Sequence, residues 1–305
     1  MSDNQNWRGI FAIPQSVYLE NGNFDDAGLT TEVEYCVKAG AHGIVWPVMA
    51  SQFSVLTHEE RKRTAEIVIN KVANRIPVVI GVATVWEATS VDLAQHAEAN
   101  GAEAIISLPP WEVKPTREQA FEYYRALSDA VSLPIFVQNA GGKFGMAFPA
   151  NDVARMVCEL EHVEYVKEEV NPAGLNISKV LAACGDTVRG VFGGGGGKFL
   201  MNELDRGAAG NMPAVEMLDI LCEIFDRYER GDHQGARDLH NLLLPYHTMH
   251  GLYGMGLNHL MLKRRGVIRS SKPRYGQNRP LDEHDERELE IILEKLKPHF
   301  RLLPP

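Results

Sequence analysis

Apolar and polar positions along most of this chain follow one repeated order. From residue 9 to about residue 213, a short apolar or β-branched run leads into a turn and then into a helical pattern with a period near 3.6. The runs predict eight strands, at 9–14, 43–47, 77–82, 104–108, 134–138, 163–166, 188–192 and, more weakly, 208–211. Amphipathic helices are predicted between them, for example at 58–72, 91–100, 117–130, 150–160 and 177–184.

After Pro213 the pattern changes to helices alone, at roughly 213–230, 233–248, 251–266 and 283–297. Eight strand-helix units indicate an α/β fold, a closed parallel (β/α)8 TIM barrel, with a C-terminal helical extension. We predict the barrel over residues 1–213, its last helix continuing to about 230, and the extension over 231–305. A doubly wound sheet is the competing architecture, but it rarely needs eight such units and does not explain the change to helices.

Charge and composition narrow the possible partners. The net charge of -9 argues against nucleic-acid binding, and the basic run 263–265 is too short to reverse it. No stretch approaches the roughly 20 apolar residues of a membrane helix, and the N-terminal MSDNQNWRG lacks the layout of a signal peptide. We therefore predict a cytoplasmic protein that contacts no membrane.

Cysteine and histidine spacing gives no metal site. The four cysteines form no CxxC pair, and His247 with His250 has no carboxylate at metal-ligand spacing. Buried thiols and helix-packing histidines are the expected roles. No metal is predicted.

The stretch EYVKEEV, residues 164–170, places Lys167 at the end of a predicted strand, where barrel enzymes have their active sites. On a strand, Lys167 shares the face of Tyr165 and Glu169, whereas Glu168 points the other way and is expected to be structural. If that face lines the barrel, burial disfavours the charged amine and leaves a nucleophile toward carbonyls. The alternative is a surface lysine paired with Glu168 or Glu169.

The glycine run FGGGGGKF, residues 192–199, is not a phosphate-binding P-loop. Phe192 stands where that motif needs its first glycine, and Phe199 stands where it needs Ser or Thr. The run indicates a strand-end loop whose backbone comes close to a ligand or a neighbouring loop, and a flexible turn is the alternative.

Four segments together resemble the dihydrodipicolinate synthase/N-acetylneuraminate lyase family. They are IP (13–14) with NGNFD (21–25), AHGIV (41–45) with LTHEER (56–61), LPIFVQN (133–139) and YVKE (165–168). The family consists of class I Schiff-base enzymes on a (β/α)8 barrel with a C-terminal helical extension. The resemblance covers nearly the whole chain and implies that Lys167 is the Schiff-base lysine.

Two loops depart from the family pattern. Its GTTGE loop, which holds the substrate carboxylate on backbone N–H groups, is VMASQ here, residues 48–52. Main-chain donors survive a change of side chain, so the resemblance still implies carboxylate binding by Met49, Ala50 and Ser51. Where sialate lyases carry acidic residues that grip a long polyol, Gly193 and Gly194 offer backbone alone, which implies a short substrate.

The family's proton relay is also missing. Gln138 occupies the place of its strand tyrosine, and Trp111 with Glu112 occupies that of its paired tyrosines. An amide can orient a hydroxyl or a water but cannot transfer a proton near neutral pH, so Glu169 is the expected proton-transfer group.

A Schiff-base lysine, a glutamine in place of tyrosine and a glutamate two residues on are similar to the family's 2-keto-3-deoxy-pentonate dehydratases. The resemblance implies a hydro-lyase that dehydrates a 2-keto-3-deoxy sugar acid through a Schiff base on Lys167. It also implies a homotetramer built as a dimer of dimers, with segment 111–112 facing a neighbouring subunit. No cofactor is predicted, because the iminium is itself the electron sink. The alternatives are a pyruvate-dependent aldolase or hydratase-aldolase, and a non-catalytic barrel that binds a 2-keto acid.

Overall fold

The computed structural model describes residues 6–142, 146–274 and 279–302. In this part of the chain, eight short strands form a closed barrel in the order β1 to β8. The strands are β1 (Gly9–Ala12), β2 (Gly43–Trp46), β3 (Val78–Gly81), β4 (Ala104–Ser107), β5 (Ile135–Asn139), β6 (Val163–Glu168), β7 (Gly190–Gly193) and β8 (Gly210–Asn211). The predicted barrel is confirmed, including its weak last strand.

Helices follow the strands in the alternating order that the sequence predicts. Between β1 and β8 they are α1 (Asp26–Ala39), α2 (His58–Val72), α3 (Glu87–Ala99), α4 (Arg117–Ala130), α5 (Ala150–Glu159), α6 (Ala173–Cys184) and α7 (Leu200–Leu204). Helices α2 and α4 have the predicted bounds, and each begins with a capping box, in which the N-cap threonine and the third helical residue satisfy each other's backbone N–H. Helix α6 begins before the predicted residue 177. The predicted start is too late because the first turn buries only small residues, Ala173 and Gly174, which give no apolar period.

The chain after Pro213 contains helices, as predicted. They are α8 (Leu218–Glu229), α9 (His233–Tyr253), α10 (Met255–Arg264) and α11 (Glu283–Leu296). Helix α9 runs past the predicted break near residue 250, and Gly254 ends it with a φ of 59° and an N–H bond to the carbonyl of His250 at 2.7 Å. Within the described residues, no helix has both the length and the apolar character that crossing a membrane requires.

The fold packs as two compact units. Unit 1 comprises the chain up to Phe11 together with Pro77–Met212, and unit 2 comprises Ala12–Ile76 together with the chain from Pro213 onward. The C-terminal helices therefore belong to the same compact unit as α1 and α2. The division into a barrel over 1–213 and an extension over 231–305 stays a prediction, and its residues 1–5, 143–145, 275–278 and 303–305 lie outside the described part of the chain.

Unit 1 has an aromatic layer in its core. The ring of Tyr165 stacks on Phe136, with 4.6 Å between centroids, and on Trp7, with 5.2 Å. Phe192 packs edge-on against Phe11 at 5.0 Å and against Phe136 at 5.7 Å. Strands β5, β6 and β7 each contribute one ring. The layer therefore packs together the three strands near whose ends the predicted site residues Gln138, Lys167 and Gly193 lie.

Candidate active site

Lys167 stands on β6 between two neighbouring strands. It pairs with Gln138 of β5 and with Phe192 of β7, and only 3% of its side chain is exposed. Because alternate residues of a strand share a face, Lys167 lies directly beyond the stacked ring of Tyr165. The amine is therefore buried next to the aromatic layer. The alternative of a surface lysine paired with Glu168 or Glu169 is wrong about the surface, although Lys167 does pair with Glu169.

Glu169 connects the other two predicted catalytic residues. Its Oε2 atom lies 3.2 Å from Nζ of Lys167 and accepts a hydrogen bond of 2.7 Å from Nε2 of Gln138. The N–H of Glu169 donates to the carbonyl of Asn139 at 2.8 Å, which fixes the backbone just beyond β6. The structure thus brings the lysine, the glutamate and the glutamine together, with a carboxylate positioned to exchange a proton with the amine.

At each of the two glycines at the end of β7, a neighbouring carboxyl group leaves no room for a side chain. A Cβ atom at Gly194 would overlap the carboxyl of Glu169, and a Cβ atom at Gly193 would overlap that of Glu203. The prediction that this loop's backbone approaches a neighbouring group is confirmed, and the neighbours are two carboxyls. Substrate binding by Gly193 and Gly194 stays a prediction.

Glu168 points to the opposite face of β6, as strand alternation predicts. Its Oε1 accepts the N–H of Val170 at 2.8 Å, and its Oε2 accepts Nδ2 of Asn139 at 2.7 Å. The amide of Asn139 also bonds both the N–H and the carbonyl of Phe148, at 2.8 and 3.0 Å. Burial raises the pKa of Glu168 to about 7, and the negative charge of Glu169 contributes to this rise. Glu168 therefore joins the end of β5 to the segment after β6 through these hydrogen bonds.

Glu203 is a residue that the sequence analysis did not select. It lies on α7 with 1% exposure, and its Oε2 accepts Nδ2 of Asn211 at 2.8 Å. Burial raises its pKa to about 7, and the charge of Glu169 again adds to the rise. The sequence offered little signal for it, because α7 has only five residues and shows no apolar period. Its position shortly after the glycine run was the one available clue.

The predicted carboxylate-binding loop lies in unit 2 and forms a short 3₁₀ turn over Met49–Ser51. The N–H of Ser51 donates to the carbonyl of Val48 at 3.0 Å, and its hydroxyl donates to the carbonyl of Pro14 at 2.8 Å. A helical turn leaves its first N–H groups without partners inside the turn, here those of Met49 and Ala50. Ser51 thus uses both of its donors within unit 2, and a carboxylate on this loop would meet the other two amides first.

Trp111 and Glu112, which take the place of the family's paired tyrosines, lie in the turn after β4, where Glu112 is exposed. Among the residues that the structure describes, no three His, Cys, Asp or Glu side chains group as ligands for a metal ion.

Comparison with known proteins places this chain in one family. The model of the dihydrodipicolinate synthetase family matches residues 6–296. L-2-keto-3-deoxyarabonate dehydratase of Azospirillum brasilense is 29% identical over 274 residues, covering 88% of this chain and 88% of that protein. 4-hydroxy-tetrahydrodipicolinate synthase of Bradyrhizobium diazoefficiens is 27% identical over 250 residues, covering 81% and 83%.

Solved structures agree on the fold. Dihydrodipicolinate synthase from Rhodopseudomonas palustris superposes with a TM-score of 0.86 at 23% identity, over 95% of this chain and 97% of that one. A barrel of eight parallel strands, helices after the last strand and a family match over nearly the whole chain lead to the same assignment. The chain belongs to the dihydrodipicolinate synthetase family, whose members are lyases.

Proposed function

We propose that this protein is a hydro-lyase that dehydrates a 2-keto-3-deoxy sugar acid through a Schiff base on Lys167. The supporting observation is that one oxygen of Glu169 contacts both the buried amine of Lys167 and the amide of Gln138. The carboxylate of Glu169 lies beside the amine, where the reaction needs a group that transfers protons. Gln138 takes the place of the tyrosine in the family's proton relay, and its amide cannot transfer a proton.

The proposed substrate is L-2-keto-3-deoxyarabonate, and the product is 2-oxoglutarate semialdehyde. The likeness to the Azospirillum brasilense dehydratase supports this choice. A five-carbon acid also suits a strand end at which Gly193 and Gly194 present backbone rather than gripping side chains. The assignment of the substrate carboxylate to the loop containing Met49, Ala50 and Ser51 stays a prediction from the family resemblance.

Schiff-base formation requires a neutral amine. In the proposed mechanism, Glu169 accepts the ammonium proton of Lys167 across the 3.2 Å contact. The free amine then attacks the C2 carbonyl, and Glu169 returns the proton to the hydroxyl of the carbinolamine, which leaves as water. This step gives an iminium that acidifies the protons on C3 and restores Glu169 to a carboxylate. Lys167 lies beside the aromatic layer with 3% of its side chain exposed, so the Schiff base forms at a buried position.

Dehydration then moves one proton from carbon to oxygen. Glu169 removes a proton from C3 to give an enamine, and it returns that proton to the C4 hydroxyl as the C4–O bond breaks. Gln138 holds the carboxylate during both transfers through its 2.7 Å bond. Tautomerisation moves the unsaturation to C5, which becomes the aldehyde, and water hydrolyses the imine. The sum is the loss of one water from the substrate, with Lys167 and Glu169 returned to their starting states.

Product analysis tests this proposal. Purified protein is incubated with each enantiomer of 2-keto-3-deoxypentonate, and the products are separated by mass. We expect a five-carbon semialdehyde from the L-arabonate-derived acid. If the protein turns over neither enantiomer, the proposal is wrong.

A carbon-carbon lyase is the second candidate, because relatives named 4-hydroxy-tetrahydrodipicolinate synthase match at 27% identity over 81% of the chain. Such an enzyme would share the lysine but would form or break a bond between carbons. The same assay separates the two functions, since cleavage releases pyruvate and an aldehyde, whereas dehydration retains all five carbons.

We also propose a homotetramer, as the family resemblance implies. Two large apolar side chains of unit 1, Trp86 and Val113, are 67% and 65% exposed. Contiguous exposed apolar surface is typical of contacts with another chain, and these two side chains are the ones that we propose for such a contact. Light scattering should give the mass of four chains, and a protein that stays monomeric at assay concentration would contradict this part of the proposal.

A further inference from the structure

A buried carboxyl that the proposed mechanism does not use lies on the other side of β7 from Glu169. Successive residues of a strand face opposite sides, so Gly194 faces Glu169 while Gly193 faces Glu203. The backbone of these two glycines is thus held between two carboxyl groups. Neither glycine could carry a side chain without displacing one of them.

Hydrogen bonds extend this contact into a continuous chain. Nδ2 of Asn211 donates both to Oε2 of Glu203, at 2.8 Å, and to the carbonyl of Gly194, at 2.9 Å. Asn211 pairs with Gly193 across the β7–β8 register, and the N–H of Met212 donates to the carbonyl of Gly193 at 3.1 Å. Asn211 therefore connects Glu203 to the glycine backbone against which Glu169 packs.

We propose that Glu203 is a positioning residue that acts through Asn211 and the Gly193–Gly194 backbone to hold Glu169 in contact with Lys167 and Gln138. This inference rests on the proposed function, in which Glu169 moves the protons. Glu203 belongs to α7 and faces Gly193, whereas Glu169 faces Gly194, so Glu203 is proposed to act through the backbone and not on the reacting atoms.

The charges around Glu169 give this role a measurable signature. Three charged or titratable groups interact with Glu169: the ammonium of Lys167 and the carboxyls of Glu168 and Glu203. The amide of Gln138 donates a hydrogen bond to the same carboxyl. Burial raises the pKa of Glu203 to about 7, so its charge changes near neutral pH. A step that depends on Glu169 therefore feels a second negative charge above that pH, and the rate should report the ionisation.

Two substitutions separate the hydrogen bond from the charge. In Glu203→Leu, Asn211 loses its carboxyl acceptor and keeps the Gly194 carbonyl. We expect kcat to fall about tenfold, equal to about 1.4 kcal/mol in the barrier, with KM changed by less than about threefold. In Glu203→Gln, the amide oxygen still accepts from Asn211, so kcat below pH 7 should stay within about threefold of wild type. The inflection of log kcat near pH 7 should become shallower in this variant, because Glu203 no longer ionises and only Glu168, whose pKa burial also raises to about 7, still does.

Glu103→Gln is the matched control. Glu103 is also a carboxyl whose pKa burial raises, and it accepts the N–H of Val78 at 2.9 Å, but it precedes β4 at the opposite strand end. We expect this variant to keep both the kcat and the pH profile of wild type.

A second readout does not need dehydration. The rate at which pyruvate and borohydride trap Lys167 depends on Glu169 accepting the ammonium proton, so Glu203→Leu should slow trapping by a similar factor. Unchanged trapping and an unchanged pH profile in both Glu203 variants would overturn the inference while leaving the proposed function in place. A wild-type protein that traps pyruvate but dehydrates no sugar acid would remove the proposed function, and the trapping rates would still decide on Glu203.

Discussion

Replacing Glu169 with glutamine removes one negative charge from the site and leaves the shape of the side chain almost unchanged. One oxygen of Glu169 contacts the amine of Lys167 at 3.2 Å and the amide of Gln138 at 2.7 Å, and in the proposed mechanism this carboxyl moves the protons. General acid-base catalysis typically contributes about 10²- to 10⁴-fold to a rate, which is about 3 to 5 kcal/mol of the barrier. We expect the kcat of Glu169→Gln to fall by that factor.

The assay follows release of the five-carbon semialdehyde from L-2-keto-3-deoxyarabonate under steady-state conditions. Glu164→Gln is the matched control, because Glu164 lies on the same strand and also pairs with a cation, Arg189, at 2.6 Å. That pair is partly exposed and precedes the site on β6, so the control should stay within about threefold of wild type.

Trapping with pyruvate and borohydride shows whether Lys167 remains competent in Glu169→Gln. At saturating pyruvate we expect the same final extent of labelling as in wild type, reached more slowly. A kcat for Glu169→Gln within about tenfold of wild type would refute the assignment, since it would mean that another group moves the protons.

Three further substitutions probe the site and its support. Gly194→Ala places a methyl group against Glu169, so kcat should fall by about tenfold or more while Lys167 can still be trapped, and an unchanged kcat would contradict the packing. Glu216 has its pKa raised by burial from 4.5 to about 7, so its contribution to stability is complete below about pH 4.5 and is lost as pH rises through 7. Urea unfolding is therefore measured at acid and at alkaline pH. Raising the pH should cost the Glu216→Gln variant up to about 3 kcal/mol less stability than it costs wild type, and equal losses in the two proteins would contradict the raised pKa of Glu216. Asp219→Ala removes the two bonds of 2.7 and 2.9 Å that the buried guanidinium of Arg265 makes to a carboxylate, and should lower the free energy of unfolding by about 3 to 5 kcal/mol. A loss below about 1 kcal/mol would show that the pair is dispensable.

Local patterns predicted the barrel strands and the central residues of the site. Strand alternation alone placed Lys167 and Glu169 on one face and Glu168 on the other, because a strand has a fixed period of two. The proximity of Gln138 required the barrel as well, since only the pairing of β5 with β6 brings residue 138 beside residue 167.

The support behind the site could not be predicted from pattern. Glu203 reaches the glycine backbone from a helix of five residues, which is too short to show a period, and its partner Asn211 lies on a strand of two residues. The glycine run was recognised as a close approach, but nothing in its composition indicates which groups approach. Long-range packing determines such contacts, and a single sequence carries no periodic signal for it.

Covalent trapping on Lys167 tests the central claim most directly. The protein is incubated with pyruvate and borohydride, digested, and mapped by mass, with Lys167→Arg as the control. We predict one reduced adduct per chain, on the peptide that contains Lys167, and none in the variant. An unlabelled wild-type protein that still turns over L-2-keto-3-deoxyarabonate, or an adduct on a different lysine, would contradict the account.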